Sequence, residues 1–227
     1  MRIVLAHEHE WNVTPAQARA IQDQLRHHVV REDRIGRVTR VAGIDAGFEE
    51  GGAVTRAAVV VLSFPELEAI EQSIARRPTS FPYVPGLLSF REIPVVLDVL
   101  AQLRTQPDLL LCDGQGIAHP RRIGFTSHLG VVTGWPTIGV AKSLLIGTHG
   151  AVPEDRGGWA PIQHRDEIIG AALRTRAKVK PVYVSIGHKI SLDSAIDYVM
   201  RCTTRYRLPE NTRLADRLAS KKDKRPA

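Results

Sequence analysis

The sequence predicts an α/β protein in which helices cover the faces of a mixed sheet. Three observations lead there. The run Leu109-Leu-Leu-Cys112 is apolar throughout and bounded by turn residues, as a strand buried on both faces is. Two further apolar stretches, 38–48 and 55–64, flank Gly51-Gly52 in the manner of a hairpin. Segments of helical periodicity with recognisable caps lie before, between and after these runs. Such alternation stacks helices against a sheet.

Each element has its own signal. Thr14-Pro-Ala-Gln17 has capping-box spacing with proline at the first helical position. A helix is expected from there to about Val30, with Ala18, Ile21 and Leu25 on one face. The hairpin strands follow, and the alternation over 67–74 suggests a third antiparallel strand. Three prolines make 76–85 a loop, and Pro94 restricts the start of a helix over 92–103. After the buried strand 109–112 come a short helix over 124–132 and a strand over 137–140. Residues 159–174 hold two strand-like runs, 182–186 another strand, and 191–202 an amphipathic helix with Ser191 as its N-cap. Nothing resembles a linker. Residues 1–220 therefore read as a single domain, followed by a disordered basic tail over 221–227.

Composition narrows the function classes. The 227 residues carry a formal charge of +7, and the sequence pI is near 9.8. That balance favours a polyanionic partner, nucleic acid above all, although a merely basic soluble enzyme fits it too. Cys112 and Cys202 form neither a disulfide framework nor a Cys-x-x-Cys pair, and Cys112 reads as a small buried hydrophobe. The compartment reads as reducing. With no signal peptide or membrane span in view, a cytoplasmic location without membrane contact is expected. No Walker loop and no nucleophile elbow are present, which disfavours covalent catalysis.

The candidate chemistry lies in carboxylates. Asp113 ends the buried strand 109–112, and Asp45 ends the strand Arg40-Val-Ala-Gly-Ile-Asp45. Open α/β sheets hold their ligands at that carboxyl edge. Glu92, in the polar stretch Ser89-Phe-Arg-Glu92, supplies a third acid. Singly, each suits a turn or a helix cap. Together they suit a cage for a hard divalent ion such as Mg²⁺, which neutralises charge during phosphodiester hydrolysis. Lys142, just past a strand, could reach the same edge and face the phosphate, or simply be a solvated lysine.

Pro82-Tyr83-Val84-Pro85 presents a ring on stiffened backbone, suited to wedging into a base stack or to an ordinary surface turn. Gly114, Gly116 and Gly139 allow backbone to approach a phosphate or a flat base. His119, Arg121 and Arg122 place an imidazole and two guanidinium forks beside the Asp113 turn. His188 precedes a helix start without a second metal ligand at the right spacing.

Taken together, several segments resemble the endonuclease V family, the deoxyinosine-specific repair nucleases. They are Ala42-Gly-Ile-Asp45, Pro82-Tyr-Val-Pro-Gly-Leu-Leu-Ser-Phe-Arg-Glu92, Asp108-Leu-Leu-Leu-Cys-Asp-Gly-Gln-Gly-Ile-Ala-His-Pro-Arg-Arg122, Ser127-His-Leu-Gly130, Pro136-Thr-Ile-Gly-Val-Ala-Lys-Ser143, Lys180-Pro-Val-Tyr-Val-Ser185 and Leu208-Pro-Glu. The resemblance covers Trp11 to about Leu218. It implies a ribonuclease H-like fold with a central five-stranded mixed sheet flanked by helices. It also implies a Mg²⁺- or Mn²⁺-dependent endonuclease acting on deoxyinosine in DNA. Such an enzyme cuts the second phosphodiester bond 3′ to the lesion and leaves 3′-hydroxyl and 5′-phosphate ends. Asp45, Glu92 and Asp113 fall on the family's metal positions, Lys142 on its active-site lysine and Tyr83 on its strand-separating wedge. Gly86, Leu88, Gly114 and Gly139 fall on loops lining the pocket for the flipped base. DNA containing deoxyinosine is the expected partner and inosine-containing RNA its alternative, with the protein acting as a monomer.

There are departures. Ser185-Ile-Gly-His188 stands where the family commonly has Ser-Pro-Gly-His, and Asn211 where it commonly has proline. Asp216 stands near where some members carry a histidine beside the metal, and it could touch the metal or its waters.

Overall fold

Residues 3–220 are described by a computed structural model. The basic run 221–227 lies outside the described residues.

Helix α1 (Pro15–Leu25) starts from Thr14, and the full capping box is formed with Gln17. Strands β1 (Arg40–Glu49) and β2 (Val54–Ser63) pair antiparallel around the Gly51-Gly52 turn. Strand β3 (Ala69–Pro78) pairs antiparallel with β2. It runs four residues past the expected end and takes in 76–78, which the prolines had assigned to a loop. A proline can end an edge strand, where no partner needs its N–H.

Helix α2 (Leu88–Ala101) starts four residues before the expected position and holds Pro94 in its interior. A proline there costs about 3 kcal/mol. Burying Ile93, Val96 and Leu100 completely against the sheet, and Phe90 against Ala18 and Phe81, offsets that, at roughly 1.5–3 kcal/mol per side chain. Strand β4 (Leu109–Cys112), helix α3 (Phe125–Thr133) and strand β5 (Thr137–Ala141) follow as expected. Then come β6 (Thr148–His149), the hairpin β7 (Trp159–His164) and β8 (Glu167–Leu173), β9 (Val182–His188), α4 (Leu192–Arg201) and α5 (Glu210–Ser220). The sequence reading had assigned neither β6 nor α5.

Among the described residues nine strands form one sheet in the order β3-β2-β1-β4-β5-β9-β8-β7-β6. The expectation of five strands is therefore corrected to nine. β1 is parallel to β4 and β4 to β5, joined by crossovers through α2 and α3. β9 then pairs antiparallel with the free edge of β5, and the 159–173 hairpin continues outward from β9. The hairpin was legible, but its partner was not, because pairing with β9 is a long-range contact.

Alternation sorts the core. Val41, Leu109, Leu111, Val60 and Leu62 face α4 and α5. Ala42, Ile44, Leu110 and Cys112 face α2 and α3. Cys112 is fully buried, and burial pushes its thiol up to about 12. Helix α5 lies directly on β1: a Cβ on Gly43 would stand 2.0 Å from the Asn211 carbonyl oxygen. Only glycine at that position lets the helix sit so close. Among the described residues no helix is long and apolar enough to cross a membrane.

Candidate active site

The register of β1 and β4 builds the centre. Ile44 pairs with Cys112, and the Asp113 N–H donates to the Ile44 carbonyl at 3.1 Å. Asp45 and Asp113 are thereby held side by side where β4 ends, on the face that α5 covers; β1 continues to Glu49 on its pairing with β2, so Asp45 stands mid-strand and not at the strand end that the sequence suggested. Helix α5 brings Asp216 to the same point. Carboxylate oxygens of Asp45, Asp113 and Asp216 lie within 4.8 Å of one another. Lys142, just past β5, bridges two of them, with Nζ 2.6 Å from Asp113 Oδ2 and 2.6 Å from Asp216 Oδ1.

Glu92 comes from α2 on the opposite face and is not part of that group of three. It is close enough for Asp45 and Asp113 to act on it. Burial first, then those two charges, raise its carboxyl to about 8. Asp45 rises to about 7 for the same kinds of reason: burial, then Asp113 and Asp216. Burial also raises Asp113, while Lys142 opposes the shift. The two aspartates hold the Lys142 ammonium firmly charged, outweighing its partial burial.

Beside the acids lies a cavity of about 250 Å³. Gly86, Leu88 and Gly114 line it, as do Phe125 and Leu145. Tyr83, 72% exposed, stands at its mouth between the exposed Pro82 and Pro85. Gly139 does not line this cavity. It lies beneath the Gly114–Gly116 turn, where a Cβ would meet Gly114 O and Gly116 N at 2.7 Å.

The basic residues after the turn act on the protein itself. Gly86, at a φ of +77°, turns its carbonyl toward them. That oxygen accepts from Arg121 Nη2 at 2.8 Å, Gln22 Nε2 at 3.1 Å and His119 Nε2 at 3.1 Å. A carbonyl only accepts, so His119 carries its proton on Nε2, and its Nδ1 accepts the Arg121 N–H. Burial and Arg121 lower His119 to about 4, which keeps it neutral in this role. Arg122 pairs with Glu167, which also holds Arg31, and donates to the His119 carbonyl. The structure thus places His119 and Arg121 as a clamp on the loop that carries Tyr83, with Arg122 just behind it. His188 accepts from the Val30 N–H, away from the acids.

One contributor was missing from the sequence reading and another was named without its helix. Gln22 needed the tertiary contact of α1 with the Gly86 carbonyl to be seen. Asp216 was noted, but α5 was not. The apolar spacing of Leu214, Ala215 and Leu218 just after Pro209 was the available signal.

The model of the family described as endonuclease V matches residues 23–217. The chain belongs to the endonuclease V family. An endonuclease V from Nostoc sp. is 64% identical over 213 residues, covering 93% of this chain and 96% of that protein. The endonuclease V crystal structure from Streptomyces avermitilis is 45% identical with a TM-score of 0.88, covering 92% of each chain. Endonuclease V from Ciona intestinalis, solved with DNA containing an inosine followed by a ribo-adenosine, is 32% identical with a TM-score of 0.79. That match covers 90% of this chain and 95% of the other. As a family member the chain is an endonuclease, and it carries an acidic cluster that could bind a metal ion.

Proposed function

We propose that this endonuclease V recognises deoxyinosine in DNA and hydrolyses the second phosphodiester bond 3′ to it. It leaves 3′-hydroxyl and 5′-phosphate ends and so starts repair of deaminated adenine. One observation carries the reading: a cavity of about 250 Å³ opens beside three convergent carboxylates. The inosine-containing DNA held by the Ciona relative supports it.

Three carboxylates within 4.8 Å are the donor set a hard, oxygen-seeking ion requires. Asp45, Asp113 and Asp216 would hold Mg²⁺, or Mn²⁺ in its place, with Glu92 approaching from the other face of the sheet. Bound there, such an ion neutralises phosphoryl charge and lowers the pKa of water. The chain's own residues do the rest. Tyr83 fills the gap left by the displaced nucleotide. Backbone at Gly86 and Gly114 and the Leu88 side chain enclose the base. The Lys142 ammonium faces the scissile phosphate. The unit spans residues 1–220, works as a cytoplasmic monomer, and has β3-β2-β1-β4-β5 as a ribonuclease H-like core.

The test is cleavage mapping on an end-labelled inosine duplex. A single product in Mg²⁺, absent with chelator, is expected; cutting that ignores the chelator refutes the metal site. Inosine in RNA is the second reading, favoured by the ribonucleotide that follows the inosine in the Ciona complex. Matched RNA and DNA oligonucleotides separate the two. Tyr83→Ala should reduce preference for inosine over unmodified duplex about tenfold, the scale of one lost stacking contact. Its melting temperature should stay unchanged because the ring is 72% exposed. Unaltered selectivity would remove the wedge role.

A further inference from the structure

Residues 3–13 form no helix or strand, yet they are tied to the middle of the molecule. The Ala6 N–H donates to the Val132 carbonyl of α3 at 2.8 Å. Three residues on, His9 Nε2 lies 2.8 Å from Nε2 of His128, which is fully buried in α3. His128 Nδ1 in turn lies 2.9 Å from Ser89 Oγ, in the first turn of α2. Trp11 stacks on the His128 ring with centroids 5.4 Å apart, and Phe90 meets that ring edge-on at 5.2 Å.

The protons of this chain run one way. His9 Nδ1 is 2.9 Å from the Glu10 carbonyl, which only accepts, so the His9 proton sits on Nδ1. Burial lowers both imidazoles below their ordinary value and keeps them neutral. His9 Nε2 is therefore bare and accepts the His128 Nε2–H. His128 Nδ1 is then bare as well and accepts from the Ser89 hydroxyl. The chain ends where α2 is weakest. Leu87, the N-cap of α2, makes no side-chain cap, and Pro94 has no N–H to offer the Phe90 carbonyl. The opening turn thus lacks both a local cap and one interior bond, and the Ser89–His128 bond ties it to α3 instead. That turn carries Leu88 and Ser89 into the wall of the base cavity.

We propose that His9 is a positioning residue for base recognition. Through His128 and Ser89 it holds the opening turn of α2, and with it Leu88, in place at the base cavity. The inference rests on the endonuclease reading above. It adds that a segment ahead of α1, outside every helix and strand, sets the affinity for the lesion.

The test joins kinetics in Mg²⁺ to a direct measurement of the tautomers. His9→Ala is expected to raise KM for an inosine duplex about tenfold, the scale of one buried donor left without its acceptor, and to change kcat by less than about twofold. His9→Gln sets an amide oxygen near the place of Nε2 and is expected to bring KM back to within about twofold of wild type. Imidazole nitrogen NMR of the wild-type protein should find His9 protonated on Nδ1 and His128 on Nε2. The opposite tautomer on His128 would overturn the proposal. So would an unchanged KM in His9→Ala, a loss confined to kcat, or a glutamine variant as impaired as the alanine one. The tautomers and the glutamine variant decide the matter even where His9→Ala does not fold. Wild-type protein that leaves the inosine duplex uncut would fault the endonuclease reading, while the tautomers still test the chain.

Discussion

Asp113→Asn is expected to lower nicking of an inosine duplex by about three orders of magnitude, or ~4 kcal/mol of transition-state stabilisation. Asp113 stands at the centre of the site. Its carboxylate is one of three within 4.8 Å, and it is 2.6 Å from the Lys142 ammonium. The amide keeps the shape and removes the charge. Lys142 is then held by Asp216 alone and can swing out of line with the phosphate. Affinity for the duplex should persist or rise, because a negative charge facing a polyanion is gone. Single-turnover nicking and gel-shift titration, run on the same preparations, measure the two quantities separately. Equal cutting by variant and wild type would sink the assignment of the acids.

Glu92→Gln is expected to stabilise the protein in chelator while reducing nicking. Its carboxyl sits at about 8 in the folded state, raised by burial and then by Asp45 and Asp113. An unfolded chain returns it to about 4.3. Between those values the folded state keeps a proton that the unfolded state has released. Stability therefore falls as pH rises through that window, and the full penalty is present above about pH 8. Glutamine carries no such penalty. The variant should match wild type near pH 4 and exceed it increasingly toward pH 8, by an amount on the order of several kcal/mol. Urea unfolding across that range, with chelator present, reads the difference. A stability gap that does not change with pH would refute the electrostatic account. The same repulsion explains why a site so costly to keep charged is suited to holding a cation.

Much of this was legible in the chain. The Asp113 strand announces itself because a parallel strand buried on both faces must be apolar throughout, and its carboxyl end is where such sheets keep ligands. The capping box at Thr14 and the N-cap at Ser191 are local hydrogen-bond patterns, and both form as read. The long motifs around Tyr83 and Asp113 carried the family. Less visible was whatever depends on distant partners. Pro94 made the start of α2 look later than it is, because local cost is visible in sequence and compensating burial is not. That His119 and Arg121 hold the Gly86 carbonyl, 33 and 35 residues away, could not be read from their neighbours in the chain.

The sequence by itself determined the fold class, the buried strand with its terminal aspartate, the stiff aromatic loop and the endonuclease V family. Those are properties of short segments, in which periodicity, proline and turn chemistry act on neighbours. Only the tertiary structure decided that the sheet has nine strands, that Asp216 joins Asp45 and Asp113, and that Glu92 approaches from the other face. Each of these is set by which edges and faces are left to be covered once the core has packed. The close seat of α5 on Gly43 is the clearest case: a missing methyl group in β1 admits the helix that completes the acidic cluster.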